Sequence, residues 1–303
     1  LDEIGAETLA TRLDERRIET ALLSEYHIEY KLDPRRYHWF LQSISQAADA
    51  RINTDLLPSA VFYDLWIWNS QFSEFGARVY ESIKDLTHSA LVLPLLIALL
   101  ILVVASRRRR GRQIGFFWMV LSTGFYGMMS SVVLAIVFQS IFGCVYQVVG
   151  LLVATFMFGL FVGSLVMMRI QRPPTARSLV PIDMAVLGGS LFLTSAIAVI
   201  YSSGLPMPSL TNGLVIFLMS LMSGTTVGAE FSAANRHILE SGELQPRFGG
   251  GLTLLYSCDL AGAWAGALVV SLLLPVLGVL GILLVVAALK AISVVTLLAR
   301  RRS

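Results

Sequence analysis

From Ser89 to Ala299 the chain runs in long apolar blocks with short polar breaks, whereas residues 1–88 mix apolar and charged positions. A hydrocarbon core about 30 Å thick needs roughly 20 apolar residues per helix. The blocks predict transmembrane helices over 89–106, 114–139, 144–168, 178–201, 211–235, 250–274 and 277–299. Basic residues fall on every other connection. Arg107, Arg108, Arg109, Arg110 and Arg112 follow the first block, and Arg169, Arg172 and Arg177 the third. Arg236 and Arg247 follow the fifth, and Arg300, Arg301 and Arg302 close the chain. The connections 140–143, 202–210 and 275–276 hold no Lys or Arg. The positive-inside rule therefore assigns the arginine-bearing segments, including the C-terminus, to the cytoplasm. The expected fold is all-α: a polytopic membrane helix bundle of about seven spans over 89–303, preceded by a short soluble or interfacial helical segment over 1–88.

In that leading segment Leu9, Leu13, Ile18 and Leu22 recur at helical spacing, with charges between them. A second helix is expected over 34–50, with Tyr37, Phe40, Leu41 and Ile44 on one face. A turn at Asn53-Thr54-Asp55 leads through Pro58 into Phe62, Tyr63, Trp66, Trp68, Phe72 and Phe75. Such rings suit an interfacial helix at headgroup level, and equally the core of an adjoining soluble domain. The chain opens on Leu1 with no signal-peptide pattern, so a C-terminal piece of a longer polypeptide is expected.

Composition narrows the partners. The chain is 55% hydrophobic and 14% charged, with mean hydropathy +0.71, outside the range of soluble domains. The net charge of +3 and pI near 9.0 reflect the arginine loops, so no nucleic acid partner is expected. Arg107, Arg108, Arg109 and Arg110 suit anionic lipid headgroups, at about 1 kcal/mol per residue near the surface. Cys144 and Cys258 fall inside spans and read as small apolar residues. His27, His38, His88 and His237 lack ligand spacing, so neither a metal nor a cofactor is implied.

Within the spans small residues recur four apart: Gly159 and Gly163, then Ser220, Gly224 and Gly228, then Gly262 and Gly266. These are expected helix-packing positions, because small residues let backbones approach where lipid supplies no hydrophobic drive. Four charges also lie inside spans: Asp183, Glu230, Asp259 and Lys290. At a rise of about 1.5 Å per residue, Asp259 and Lys290 sit roughly 13 Å from the cytoplasmic boundary, and Asp183 and Glu230 about 8–9 Å. Equal depth on successive antiparallel helices predicts an Asp259–Lys290 pair; the alternative is that Lys290 snorkels to the headgroups while Asp259 bonds to a neighbouring helix. With Asp183 and Glu230 the four form a net-negative candidate binding site for a small organic cation, or a set of structural charges near helix ends.

The segment Arg247-Phe248-Gly249-Gly250-Gly251-Leu252-Thr253-Leu254-Leu255-Tyr256-Ser257-Cys258-Asp259-Leu260-Ala261-Gly262-Ala263-Trp264-Ala265-Gly266-Ala267 resembles a signature of bacterial membrane proteins fused to a spermidine synthase-like domain. Gly143-Cys144-Val145-Tyr146 and the stretch 224–234, with Glu230-Phe231, are similar to other pieces of that family. Residues 26–68, with Asp33-Pro34, Asn53-Thr54-Asp55, Pro58 and Tyr63, resemble the tail of its synthase-like domain. The resemblance implies an aminopropyltransferase-type Rossmann-like domain upstream, using decarboxylated S-adenosylmethionine and a diamine, and a place in the bacterial inner membrane. The family's Gly-rich nucleotide loop, acidic ribose contact and Asp general base have no counterpart here, so no catalytic residue is carried over.

One tension follows. A true first span places 1–88 outside the cytoplasm, where that nucleotide substrate is not expected; a re-entrant first helix would remove the conflict but leave the arginine run unexplained. The leading expectation is a membrane module that anchors or scaffolds its upstream half or a partner membrane subunit. A transporter of polyamines or similar cations is the alternative. An enzyme in its own right ranks last, since no nucleophile–base constellation is visible.

Overall fold

The structure, a computed structural model, describes residues 6–17, 25–46, 52–84, 86, 88–106, 111–143, 146–170, 176–202, 210–241 and 251–299. Arg107, Arg108, Arg109 and Arg110 lie outside the described residues, as do Arg172, Arg247 and the arginines of the tail. Among the described residues secondary structure is helical, without strands. The helices are α1 Ala6–Glu15, α2 Glu25–Leu32, α3 Pro34–Gln46, α4 Ser59–Phe72, α5 Glu74–Ile83, α6 His88–Ser106, α7 Gly111–Phe142, α8 Tyr146–Arg169, α9 Ala176–Ser202, α10 Leu210–Ser241 and α11 Gly251–Ala299.

The chain divides into two compact units, Leu1–Ile52 and Asn53–Ser303. The first holds α1, α2 and α3. Its amphipathic pattern is strong, yet Trp39, Phe40 and Ile44 of α3 are exposed and Ile28 of α2 is buried. Arg36 stacks over the Tyr30 ring, 4.2 Å from its centroid.

Among the described residues of the second unit five helices are long and apolar enough to cross a membrane: stretches Gly115–Phe142, Gln147–Arg169, Ser178–Ser202, Leu210–Glu240 and Gly251–Leu298. Five rather than seven qualify for two reasons. In α6 the described apolar stretch is the shorter Val92–Leu102. The two blocks expected at 250–274 and 277–299 form one element, α11, which breaks inside at Gly278. There φ is 73° and ψ 172°, a conformation that glycine alone adopts without strain. A Cβ at this position would also press on the Leu56 carbonyl oxygen, 2.5 Å away. The helical hydrogen bonding lost at the break is met from outside, since Val279 N–H donates to Leu56 O at 2.8 Å.

Leu56 belongs to the turn that follows Asn53. Thr54 and Leu57 exchange backbone hydrogen bonds of 3.0–3.1 Å, and the Asn53 side chain accepts from Ala60 N–H at the start of α4. Behind this turn Phe62 of α4 and Tyr80 of α5 are buried with Val276 in one apolar cluster, their rings edge-to-face at 5.7 Å. The aromatic stretch is therefore divided. Phe62 is core, while Trp68, Phe72 and Phe75 are exposed, Trp68 and Phe72 being stacked. These contacts explain why residues 53–88 belong with the bundle although their composition resembles that of the leading segment.

The bundle core is built on pairs. α7 packs along α11, and α8 along α10, with α9 against both α10 and α11. The largest apolar cluster joins Phe125, Met129 and Val133 of α7, Leu193 and Ile197 of α9, Ile216 and Met219 of α10, and Ile282 and Val286 of α11. In contrast, one side of α8 is bare, with Leu151, Phe158 and Phe161 exposed. Exposed apolar rows of this kind are what a lipid-facing helix presents.

Candidate functional site

Glycines bring two of these pairs into backbone contact. A Cβ added at Gly159 or Gly163 would collide with backbone atoms of α10 between Leu221 and Ala229, and one at Gly224 or Gly228 with Phe156 and Leu160 of α8. Side chains bridge the same seam. Ser220 Oγ donates to Leu152 O at 3.1 Å, and Ser164 Oγ to Gly228 O at 3.3 Å. At its end Arg236 donates to the Met167 and Ile170 carbonyls, at 2.9 and 2.6 Å, closing the C-terminus of α8 as a cationic cap. On the other pair, a Cβ at Gly262 would collide with the Leu121 carbonyl, and one at Gly266 would lie 2.8 Å from Phe125 O.

Close backbones draw polar side chains from four helices to one point. Lys290, on the last arm of α11, directs Nζ to Asp183 Oδ1 of α9 at 2.7 Å and to Thr123 Oγ1 of α7 at 2.7 Å. It also reaches both carboxylate oxygens of Glu230 on α10, at 2.9 and 3.1 Å. Thr123 Oγ1 is in turn hydrogen-bonded to Glu230 Oε1 and lies 2.8 Å from Met119 O. An ammonium has three protons, and here they are shared among three residues, the third forked across one carboxylate. Lys290, Asp183 and Glu230 are each 0% exposed. The second Asp183 oxygen, Oδ2, is buried and has no hydrogen-bond partner, and neither has Ser293 Oγ, one turn beyond Lys290. The cluster thus sets two carboxylates against one ammonium, all three fully buried.

Removing a charge from water is expensive, and the cost is recovered only by close, well-aligned partners. Lys290 has them. Breaking such a pair leaves an uncompensated buried charge, typically worth about 3–5 kcal/mol.

Asp259 does not join this cluster, so the expected Asp259–Lys290 pair is not formed. Depth along two helices says nothing about the direction in which each side chain points. Lys290 faces α9 and α10. Asp259 is half-buried on the first arm of α11 beside α7, where a Cβ at Gly124 would lie 2.8 Å from its Oδ1. That Oδ1 is buried and unpartnered. Of the four charges, then, Asp183, Glu230 and Lys290 converge and Asp259 stands apart.

Sequence reasoning also missed Thr123. The available signal was the recurrence of Thr123, Tyr126, Gly127 and Ser130 at three- and four-residue steps within an otherwise apolar span, which marks the polar face of α7. Among the described residues no group of His, Cys, Asp and Glu has the makings of a metal site.

These observations define a helical bundle with several apolar helices of membrane-crossing length and a buried ionic cluster at its centre. No protein-family model, curated protein or solved structure matches the chain.

Proposed function

We propose that this chain is the integral membrane module of a spermidine synthase-like protein of the bacterial inner membrane, acting as anchor or scaffold for a catalytic core outside it. The bundle crosses the membrane seven times in this reading, counting α6 and the two arms of α11 on either side of Gly278, and ends in the cytoplasm. The Arg247–Ala267 segment supplies the family expectation. The observation that supports a scaffold is the internal saturation of the Lys290 ammonium. Every Lys290 proton has a protein acceptor, and the three charged side chains are wholly buried. An ammonium so held ties α7, α9, α10 and α11 together and leaves little reason for a second cation to enter.

Transport of polyamines or similar cations is the second reading, favoured by one specific feature. The carboxylates outnumber the ammonium, and Asp183 Oδ2 is unpartnered. A tethered Lys290 then occupies the place that a substrate ammonium would take.

Calorimetric titration of putrescine and spermidine into the bundle in lipid nanodiscs separates the two. A scaffold gives no saturable heat. Saturable binding that vanishes in Asp183→Asn overturns the scaffold in favour of transport. Co-purification with a separately expressed upstream synthase-like domain is expected, and failure to associate removes the fusion partner from the proposal.

A further inference from the structure

A cavity of about 300 Å³ lies between α9 and α10, with α7 as its floor. Its walls are Gly188, Gly189, Phe192 and Leu193 from α9, with Met219 and Met222 from α10. Gly188, Phe192 and Met222 are exposed, so the cavity opens sideways through the surface the helices present to lipid. The volume sits at the lower bound for small-molecule pockets.

Its depth is set by helix register. Tyr126, Gly188 and Ser223 each fall within three residues of the midpoint of their apolar stretches. At about 1.5 Å per residue that is within about 5 Å of the membrane midplane.

The cavity is lined by three hydroxyls, Tyr126 of α7 and Ser223 and Thr226 of α10, and their protons are not equally committed. Tyr126 donates to Ser223 Oγ at 3.1 Å, and Thr226 Oγ1 to the Ser223 carbonyl at 2.9 Å. Accepting from Tyr126 leaves the Ser223 proton available as a donor. Burying such a donor without an acceptor is unfavourable, and water does not enter laterally through hydrocarbon. The complementary occupant is apolar, neutral and equipped with one accepting oxygen. A phospholipid ester does not qualify, because its carbonyls stay at the interface, about 15 Å from the midplane of a 30 Å core.

We propose that this cavity binds a neutral carbonyl compound dissolved in the bilayer, of quinone-ring size, which enters sideways between α9 and α10 and accepts a hydrogen bond from the Ser223 hydroxyl. The proposal is independent of the anchor or transport reading, since it uses none of Asp183, Glu230 or Lys290.

The test uses the full chain in phospholipid nanodiscs, with empty discs subtracting simple partition. The probes are a decyl-substituted benzoquinone and decylbenzene, which lacks the carbonyl. Gly188→Leu is the blocking variant, because Gly188 lines the cavity and nothing lies within 4 Å of a Cβ there, so the larger side chain is accommodated. Ser223→Ala removes the donor and leaves the space. The wild-type chain is expected to bind the benzoquinone saturably at one site. Gly188→Leu abolishes this, and Ser223→Ala weakens it about three- to tenfold, the worth of one hydrogen bond. Decylbenzene binds the wild type and Ser223→Ala alike. Non-saturable uptake, equal binding by Gly188→Leu at an unchanged melting temperature, or an equal Ser223→Ala loss for both probes overturns the proposal. So does a phospholipid that native mass spectrometry finds retained by the wild type and released by Gly188→Leu, since the occupant is then a lipid chain. Should Gly188→Leu fail to fold, the Ser223→Ala comparison across the two probes decides alone.

Discussion

The seam between α8 and α10 and the cluster around Lys290 join helices in opposite ways. Along the seam the contacts are uncharged, and a charge, Arg236, enters only at its end. Gly159, Gly163, Gly224 and Gly228 allow two backbones to meet, and the attraction is spread over many small contacts, reinforced by Ser164 and Ser220. At the cluster a single ammonium holds three partners from three other helices. Dispersed contact degrades gradually when one atom is lost, whereas a buried ion network fails as a unit because each member desolvates the others. The seam gives closeness, and the cluster gives one particular arrangement of α7, α9, α10 and α11.

The contrast is sharpest if Lys290 is replaced. Lys290→Met strands two carboxylates in the core, and thermal unfolding in detergent is expected to show a loss of about 3–5 kcal/mol. Replacing Lys290, Asp183 and Glu230 together by apolar residues of similar size should recover most of it, since the cost lies in the unpaired charge. A triple variant as unstable as Lys290→Met would show that the network stabilises in its own right.

Gly163→Leu or Gly228→Leu comes next. Either forces α8 away from α10, with an expected loss of about 1–3 kcal/mol, as for overpacked cores. Cysteine cross-linking between these helices should fall in step. Unchanged stability would mean that the seam yields without cost.

Coupling draws the line between the two acids. In a double-mutant cycle Asp183→Asn and Lys290→Met should interact by about 0.5–3 kcal/mol, as contacting residues do. Asp259→Asn has the smallest effect, below about 1 kcal/mol, and should add to Lys290→Met within about 0.5 kcal/mol. Non-additivity between Asp259 and Lys290 would contradict the observed partners.

The outline of this bundle was readable in the chain. The blocks predicted at 114–139, 178–201 and 211–235 fall inside α7, α9 and α10, and the block predicted at 144–168 coincides with α8 from Tyr146 onward. Such elements are legible because a helix in hydrocarbon must satisfy its backbone internally, so length and apolarity suffice. The four-residue spacing of glycines was legible for the same local reason. The break in α11 was half-legible. Two blocks were expected, but that Gly278 carries the turn, and that Leu56 from a distant turn completes it, depends on atoms far apart in sequence.

Partner choice was not legible at all. A one-dimensional reading gives each charge a depth, and by depth Asp259 matches Lys290 best. Which residues meet depends on the rotation of each helix about its axis, and that rotation is set by the neighbours it packs against. Gly124 admits Asp259 beside α7, while α9 and α10 carry Asp183 and Glu230 toward Lys290. The amino-acid pattern by itself therefore determined that apolar helices of membrane-crossing length form, and where along them the costly charges sit. Only the packed bundle decided which charges neutralise one another, because azimuth is a property of the assembled helices and depth a property of each one alone.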